Sequence, residues 1–266
     1  MIPITDPLDP RIDPFRNIRE RDLTGRKGLF IAEGEVVLRV LLSPASLCRP
    51  KALLLAERRL PAFSDLIPTL DADVPVFVAP QPVLDAIAGF DLHRGILAVG
   101  EKPAQVELDG LIAKLGPHGV LVVASGIGNH DNMGGLFRNA AAFGASGLVL
   151  DETCCDPFYR KAIRVSVGAV LRTPFCRVGS LNAAIKTLKG RGVEVLALTP
   201  AAKERLTDFR PRGATAIVLG SEGPGLEASI IDLCRPIGIP MAGGFDSLNV
   251  AVTSALALHQ VTSAHR

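Results

Sequence analysis

Short apolar runs alternate with amphipathic stretches along this chain, and most of the runs are continuous where a half-exposed strand would alternate. GLFIAEG (Gly28 to Gly34) leads into VVLRVLL. KALLLAE (Lys51 to Glu57), VPVFVAP (Val74 to Pro80), the helix-like QPVLDAIAGF and GILAVGE (Gly95 to Glu101) follow. This pattern predicts a small α/β unit. EKPAQVELDG then loses the periodicity and carries a proline, which makes it the linker candidate. Two domains are expected, 1–103 and 104–266.

From Gly119 the elements lengthen. GVLVVASG predicts a buried strand, with a helix through Met133 to Phe143 behind it, and GLVLDE predicts the next strand. Helices are expected somewhere in Asp156 to Leu171 and across Leu181 to Lys189. VEVLALTP, TAIVLGSE and RPIGIPM predict further strands, and a last helix is expected from about Ser247 to Val261. Unbroken Val/Leu/Ile runs belong to strands covered on both faces, as in a parallel sheet. Ligands of such sheets bind beyond the carboxyl ends of the strands, so the segments after the strands are the places to look for chemistry.

Three of those segments match one another. GIGNHDNMGGLFRNAAAFG follows the first long strand, SEGPGL follows TAIVLG, and MAGGFDSLNV follows RPIGIP. Each is glycine-rich and polar. No G-x-x-x-x-G-K-[ST] occurs, and no G-x-G-x-x-G stands between a strand and a helix, which argues against a P-loop or a dinucleotide site. In GGFDSLNVAVTSA (Gly243 to Ala255), Asp246 or Ser247 fits the cap of the last helix. Asn249, a poor helix former inside the apolar run, is not explained by that cap.

Composition narrows the class. Among 266 residues there is no Trp and one Tyr, and glycine is plentiful, which suits close helix–sheet packing. No run of about 18 apolar residues predicts a membrane span, and MIPITDPLDPRIDP lacks the cationic start and apolar stretch of a signal peptide. The five cysteines form no C-x-x-C pair and the histidines are scattered, so reduced thiols in the cytoplasm are expected and no metal is. The net charge of +2 is uninformative. Its local concentration is more telling: Arg16, Arg19, Arg21, Arg26 and Lys27 are opposed only by Glu20 and Asp22. Such a cluster is either a solvated helix face or a patch contacting RNA phosphates.

Taken together, the three loops resemble those of the SpoU branch of the SPOUT RNA methyltransferases. Asn132-Met133-Gly134-Gly135-Leu136-Phe137-Arg138, with Ala140 to Gly144 behind it, is similar to the first family motif. Leu219-Gly220-Ser221-Glu222-Gly223-Pro224-Gly225-Leu226 is similar to the second. Ile239-Pro240-Met241 with Ser247-Leu248-Asn249-Val250 is similar to the third, and DPFYRKAIRVSVGAVLRTPF resembles the stretch between the first two. One departure is Asn139, where the family commonly has Thr. FIAEGE and HRGILA in the first part are similar to the small substrate-binding domain of many members.

The resemblance implies an α/β protein with a C-terminal parallel-sheet domain carrying a trefoil knot, plus a smaller N-terminal α/β domain that binds RNA. It implies methyl transfer from S-adenosylmethionine to a ribose 2′-hydroxyl of structured RNA, rRNA or tRNA, in a homodimer. Arg138, Glu222, Ser247 and Asn249, with Asn132, fall at the reacting point, and Gly220, Ile239 and Leu248, with Thr199, at the donor. Ile239 and Leu248 fit plain core packing equally well. A guanidinium keeps its proton to about pH 12, so Arg138 suits a fixed cation better than a general base. The alternatives are a non-catalytic RNA-binding protein of the same fold and a nucleotide-binding regulator, the latter disfavoured by the missing P-loop lysine.

Overall fold

A computed structural model of the chain describes residues 1–16, 28–89, 92, 94–243 and 247–263. The contacts divide the chain into two units. One comprises Met1–Ala104 with Pro157–Arg172, the other Gln105–Asp156 with Thr173–Arg266. The sequence suggests a single cut near residue 103; the contacts assign the later segment Pro157–Arg172 to the first unit as well.

In chain order the first unit begins with β1 (Ile2–Pro3), β2 (Leu29–Glu33), α1 (Glu35–Leu41), β3 (Arg49–Ala56), β4 (Val76–Ala79), α2 (Gln81–Ala88) and β5 (Ile96–Glu101). The second unit opens with α3 (Leu108–Ala113), β6 (Val120–Ala124), α4 (His130–Phe143) and β7 (Gly147–Asp151). The first unit then takes α5 (Arg160–Val165). The second unit resumes with β8 (Phe175–Val178), α6 (Leu181–Gly190), β9 (Glu194–Leu198), β10 (Thr215–Leu219), α7 (Ala228–Ile231), β11 (Arg235–Ile237) and α8 (Val250–Ser263).

The first unit is a mixed sheet in the order β1-β4-β3-β5-β2, with β5 antiparallel to both neighbours. Ile12, Phe15, Leu54, Phe77, Leu84 and Leu97 pack into one core. The segment around α5 is built into this unit: Phe158 packs on Phe30 at a centroid distance of 5.2 Å, and Leu171 O accepts from Leu47 N at 2.8 Å. Arg160 Nη1 lies 3.3 Å from Oε2 of Glu33, a carboxylate that is buried.

The second unit is a six-stranded sheet in the order β11-β9-β10-β6-β7-β8, parallel throughout. Leu121, Val123, Ala216 and Val218 face Ile185 and Leu188 of α6. The strand residues between them are also buried, and α4 and α8 pack on the sheet. Both faces are therefore covered, which is why these strands read as unbroken apolar runs. Each Val or Leu buried this way stabilises the unit by about 1.5–3 kcal/mol. The order reverses between β6 and β10, since β7 and β8 continue to one side of β6 while β9 and β11 lie beyond β10. Such a reversal is where an open parallel sheet binds its ligand.

Among the described residues no helix is long and apolar enough to cross a membrane, and no group of three or more His, Cys, Asp or Glu side chains is placed to hold a metal ion.

Candidate active site

Strands β9, β10 and β11 end side by side, and the segments that follow them enclose a cleft of about 590 Å³. This volume is in the range of small-molecule sites, about 300–1,000 Å³. Thr199, Gly220, Ile239 and Leu248 all line it, as do Glu222, Ser247 and Asn249.

The loop after β10 forms one wall. Ser221 and Gly225 pair across it, with Gly225 N donating to Ser221 O at 3.2 Å, and Gly223 and Gly225 take φ of +90° and +68°. The loop thus folds back on Gly220. A Cβ at that position would sit 2.6 Å from Leu226 N and 2.7 Å from Gly225 O, so only glycine admits this turn. The result is a backbone cradle with Leu226, Ile239 and Leu248 supplying apolar surface and Thr199, Ser221 and Thr253 supplying hydroxyls. An adenosine with a charged amino-acid tail fits such a mixture of apolar walls and exposed backbone groups.

Asn249 joins the loops. Its Oδ1 accepts from Ala251 N at 2.9 Å and from Val252 N at 3.3 Å. Its Nδ2 donates to Oδ1 of Asn132 at 2.9 Å and to Oε1 of Glu222 at 2.8 Å. Asn132 and Glu222 are 117 and 27 positions away in sequence, one on the first turn of α4 and the other in the loop after β10. This corrects the sequence reading of the last helix. It begins at Val250, not Ser247, and Asn249 is its cap, because an Asn oxygen can take the free N–H groups of the second and third helical residues. The residue that looked misplaced inside a helix stands just before it, and Ser247 and Leu248, which precede it, line the cleft.

Arg138 stands apart from this group. It is exposed on α4, does not line the cleft, and its side chain makes no hydrogen bond or ion pair with another described residue. Of the basic cluster, Arg19, Arg21, Arg26 and Lys27 lie outside the described residues. Arg16 is engaged locally: its Nη2 donates to Asp9 O at 2.5 Å and its Nη1 lies 2.9 Å from Asp13.

The loop after β6, first of the three similar segments, contributes no lining residue; the short turn after β9, with Thr199 and Pro200, does so instead. The β6 loop is held from the side by Asp151, whose Oδ2 accepts from Gly126 N at 2.8 Å. Burial opposes the charge on Asp151, but hydrogen bonds from Thr153, Cys154, Ser125 and Gly126 outweigh it and hold the carboxyl below its ordinary range. Met241, which belongs to the third motif, and Thr253, on the first turns of α8 beside it, also line the cleft; the place of Thr253 next to that loop is the sequence signal for it.

The model of the SpoU rRNA Methylase family matches residues 119–259, a span that holds the whole of this site. The chain belongs to the SpoU rRNA methylase family. It is 36% identical over 268 residues to an uncharacterized tRNA/rRNA methyltransferase of Mycobacterium bovis, covering 97% of this chain and 91% of the relative. A relative in Mycobacterium tuberculosis, described in the same words, matches at the same identity and coverage. Two solved structures share the fold. The SpoU methyltransferase AviRb from Streptomyces viridochromogenes, in complex with AdoMet, superposes with a TM-score of 0.79 at 22% identity, over 96% of both chains. A structure described as an RNA 2′-O ribose methyltransferase superposes with a TM-score of 0.79 at 24% identity, over 99% of this chain and 98% of the other. This SpoU member is thus an RNA methyltransferase whose cleft, cap residue and paired polar side chains all fall within the family's own segment.

Proposed function

We propose that this SpoU family member transfers the methyl group of S-adenosylmethionine to a ribose 2′-hydroxyl of structured RNA, rRNA or tRNA. The observation that carries this reading is the chain Asn132–Asn249–Glu222 at the edge of a glycine-floored cleft lined by Thr199, Gly220, Ile239 and Leu248. The donor, bound in the cleft, supplies an electrophilic methyl on a sulfonium. The backbone from Gly220 to Leu226 and the side chains of Ile239 and Leu248 hold it and exclude water. Glu222 and Ser247 border the acceptor, and Asn249 fixes the Glu222 carboxylate there. Holding donor and acceptor in line at near-attack distance removes several kcal/mol from the barrier. The acceptor hydroxyl passes its proton to the Glu222 carboxylate, its oxygen takes the methyl as the S–CH3 bond breaks, and the donor leaves as its neutral demethylated thioether. Arg138 orients the acceptor and stabilises the negative charge that grows on its oxygen. The trefoil knot belongs to the same reading, in the segment that carries the second and third loops.

Because Arg138 does not line the cleft of its own chain, the reading includes a homodimer in which the second copy supplies it. Support comes from α8 and its approach, where Leu248, Val252 and Leu256 are spaced four apart and are 40%, 48% and 44% exposed. A row of large exposed apolar side chains is the kind of surface a second copy would cover, which supports the dimer. Sedimentation at micromolar concentration is expected to give a dimer; a clean monomer removes the shared-site arrangement.

Titration calorimetry with S-adenosylmethionine and with its demethylated product is expected to show saturable binding. No heat, and no thermal stabilisation at millimolar ligand, would overturn the donor assignment. Mass spectrometry of nucleosides from cells lacking the protein should show one ribose-methylated nucleotide missing. A missing base-methylated nucleotide in its place would refute the ribose assignment.

A further inference from the structure

Helices α4 and α8 meet along a seam of small residues. A Cβ on Gly135 would sit 2.6 Å from the Cβ of Ala251, so glycine permits the approach. Asn139, one turn further along α4, reaches into the same seam. Its Nδ2 donates to Ala251 O at 2.6 Å and to Ser254 Oγ at 2.7 Å. Ser254 is fully buried, and its hydroxyl donates to the same Ala251 carbonyl at 2.7 Å. The three groups form a closed triangle of polar atoms.

Two features connect this triangle to the site. Residues 132, 135 and 139 recur at the spacing that shares one face of a helix, so the face of α4 that carries Asn132 to Asn249 also carries Asn139 to Ser254. Ala251 is held from both ends: its N–H is donated to Oδ1 of the cap Asn249, and its carbonyl accepts from Asn139. The first turn of α8 is therefore tied to α4 just beyond the residue that contacts Asn132 and Glu222.

We propose that Asn139 is a positioning residue for methyl transfer: its amide staples α4 to the first turn of α8 and so keeps Asn249 seated on Asn132 and Glu222. The role in transfer rests on the cleft being the methyl-transfer site; the staple itself does not. Threonine, the residue that the family resemblance leads one to expect at this position, has a single hydroxyl hydrogen and can donate only one of the two bonds.

The test uses the full chain, total rRNA and tRNA isolated from cells lacking the protein, and the variants Asn139→Ala, Asn139→Thr and Ser254→Ala. Amide hydrogen exchange at Ala251 and Val252 reads the staple without any methyl transfer, and single-turnover kinetics reads the chemistry. Asn139→Ala is expected to speed exchange at these amides about thirtyfold, the factor for two hydrogen bonds of ordinary net strength. It should lower the transfer rate by a similar factor, leaving donor Kd and RNA KM within about twofold of wild type. Asn139→Thr and Ser254→Ala should fall between wild type and Asn139→Ala in both readouts. If Asn139→Ala does not fold, these two milder variants carry the test. Faster exchange with an unchanged rate would overturn the positioning role, and unchanged exchange would overturn the staple. A wild-type chain that binds donor but methylates no RNA would instead overturn the reading of the cleft, and the role of Asn139 in transfer with it.

Discussion

Arg138→Ala is expected to abolish methyl transfer while donor binding stays near the wild-type value. The side chain is exposed and bonded to no other described residue, so its loss should change stability by no more than about 0.5 kcal/mol. Its proposed work is confined to the transition state, where a fixed cation meets the charge growing on the acceptor oxygen. Removing one such preorganised contact typically costs about 10²–10³ in rate, with kcat and kcat/KM falling together. Arg138→Lys keeps the charge but loses the planar fork, so it should restore only part of the rate. Mixing Arg138→Ala with Asn249→Ala distinguishes a site shared between two copies from a self-contained one. Mixed dimers would contain one intact cleft facing one intact arginine, and random pairing should recover about a quarter of wild-type activity. Near-wild-type turnover of Arg138→Ala on a verified RNA would sink the mechanism at its centre, and unfolding of the variant would assign Arg138 to structure.

Gly220→Ala should remove donor binding. The added methyl meets Leu226 N and Gly225 O, backbone atoms that cannot rotate away as the end of a side chain would. Accommodating it means shifting the Ser221–Leu226 loop, at a cost of about 1–3 kcal/mol for overpacking. That loop is a wall of the cleft, so the displacement falls directly on the ligand surface. A loss of about a hundredfold in donor affinity by calorimetry is expected, with a modest fall in melting temperature. Wild-type affinity in a folded Gly220→Ala protein would show that the loop is not the donor's cradle.

The strands of the second unit were legible because a sheet buried on both faces leaves a mark that is local in sequence: β6, β9 and β10 coincide with unbroken apolar runs. Their order was not legible. Nothing in the spacing of Val and Leu tells β10 to enter between β6 and β9, since register and neighbour choice are decided by the whole sheet. Loop similarity identified the second and third segments, which line the cleft; the first turns beside Asp151 and reaches the site through Asn132, which accepts from Asn249. Asn249 was misread for a related reason. Apolar periodicity continues backward through Leu248, and only the hydrogen bonds to Ala251 and Val252 reveal where the helix starts. Asn139 looked like a neutral departure from a family pattern because its partners, Ala251 and Ser254, are more than a hundred residues away.

The division of the chain has a practical consequence for anyone wishing to transplant its smaller unit. A gene fragment ending near Ala104 would leave behind Phe158, which stacks on Phe30, and Arg160, which faces the buried carboxylate of Glu33. The fragment would begin life with an exposed aromatic face and an uncompensated buried charge, both of which favour aggregation over folding. A chimera that exchanges this module must carry two cassettes from the same parent, one from the start of the chain and one from Pro157 to Arg172, joined at Asp156 and Thr173 to a foreign sheet.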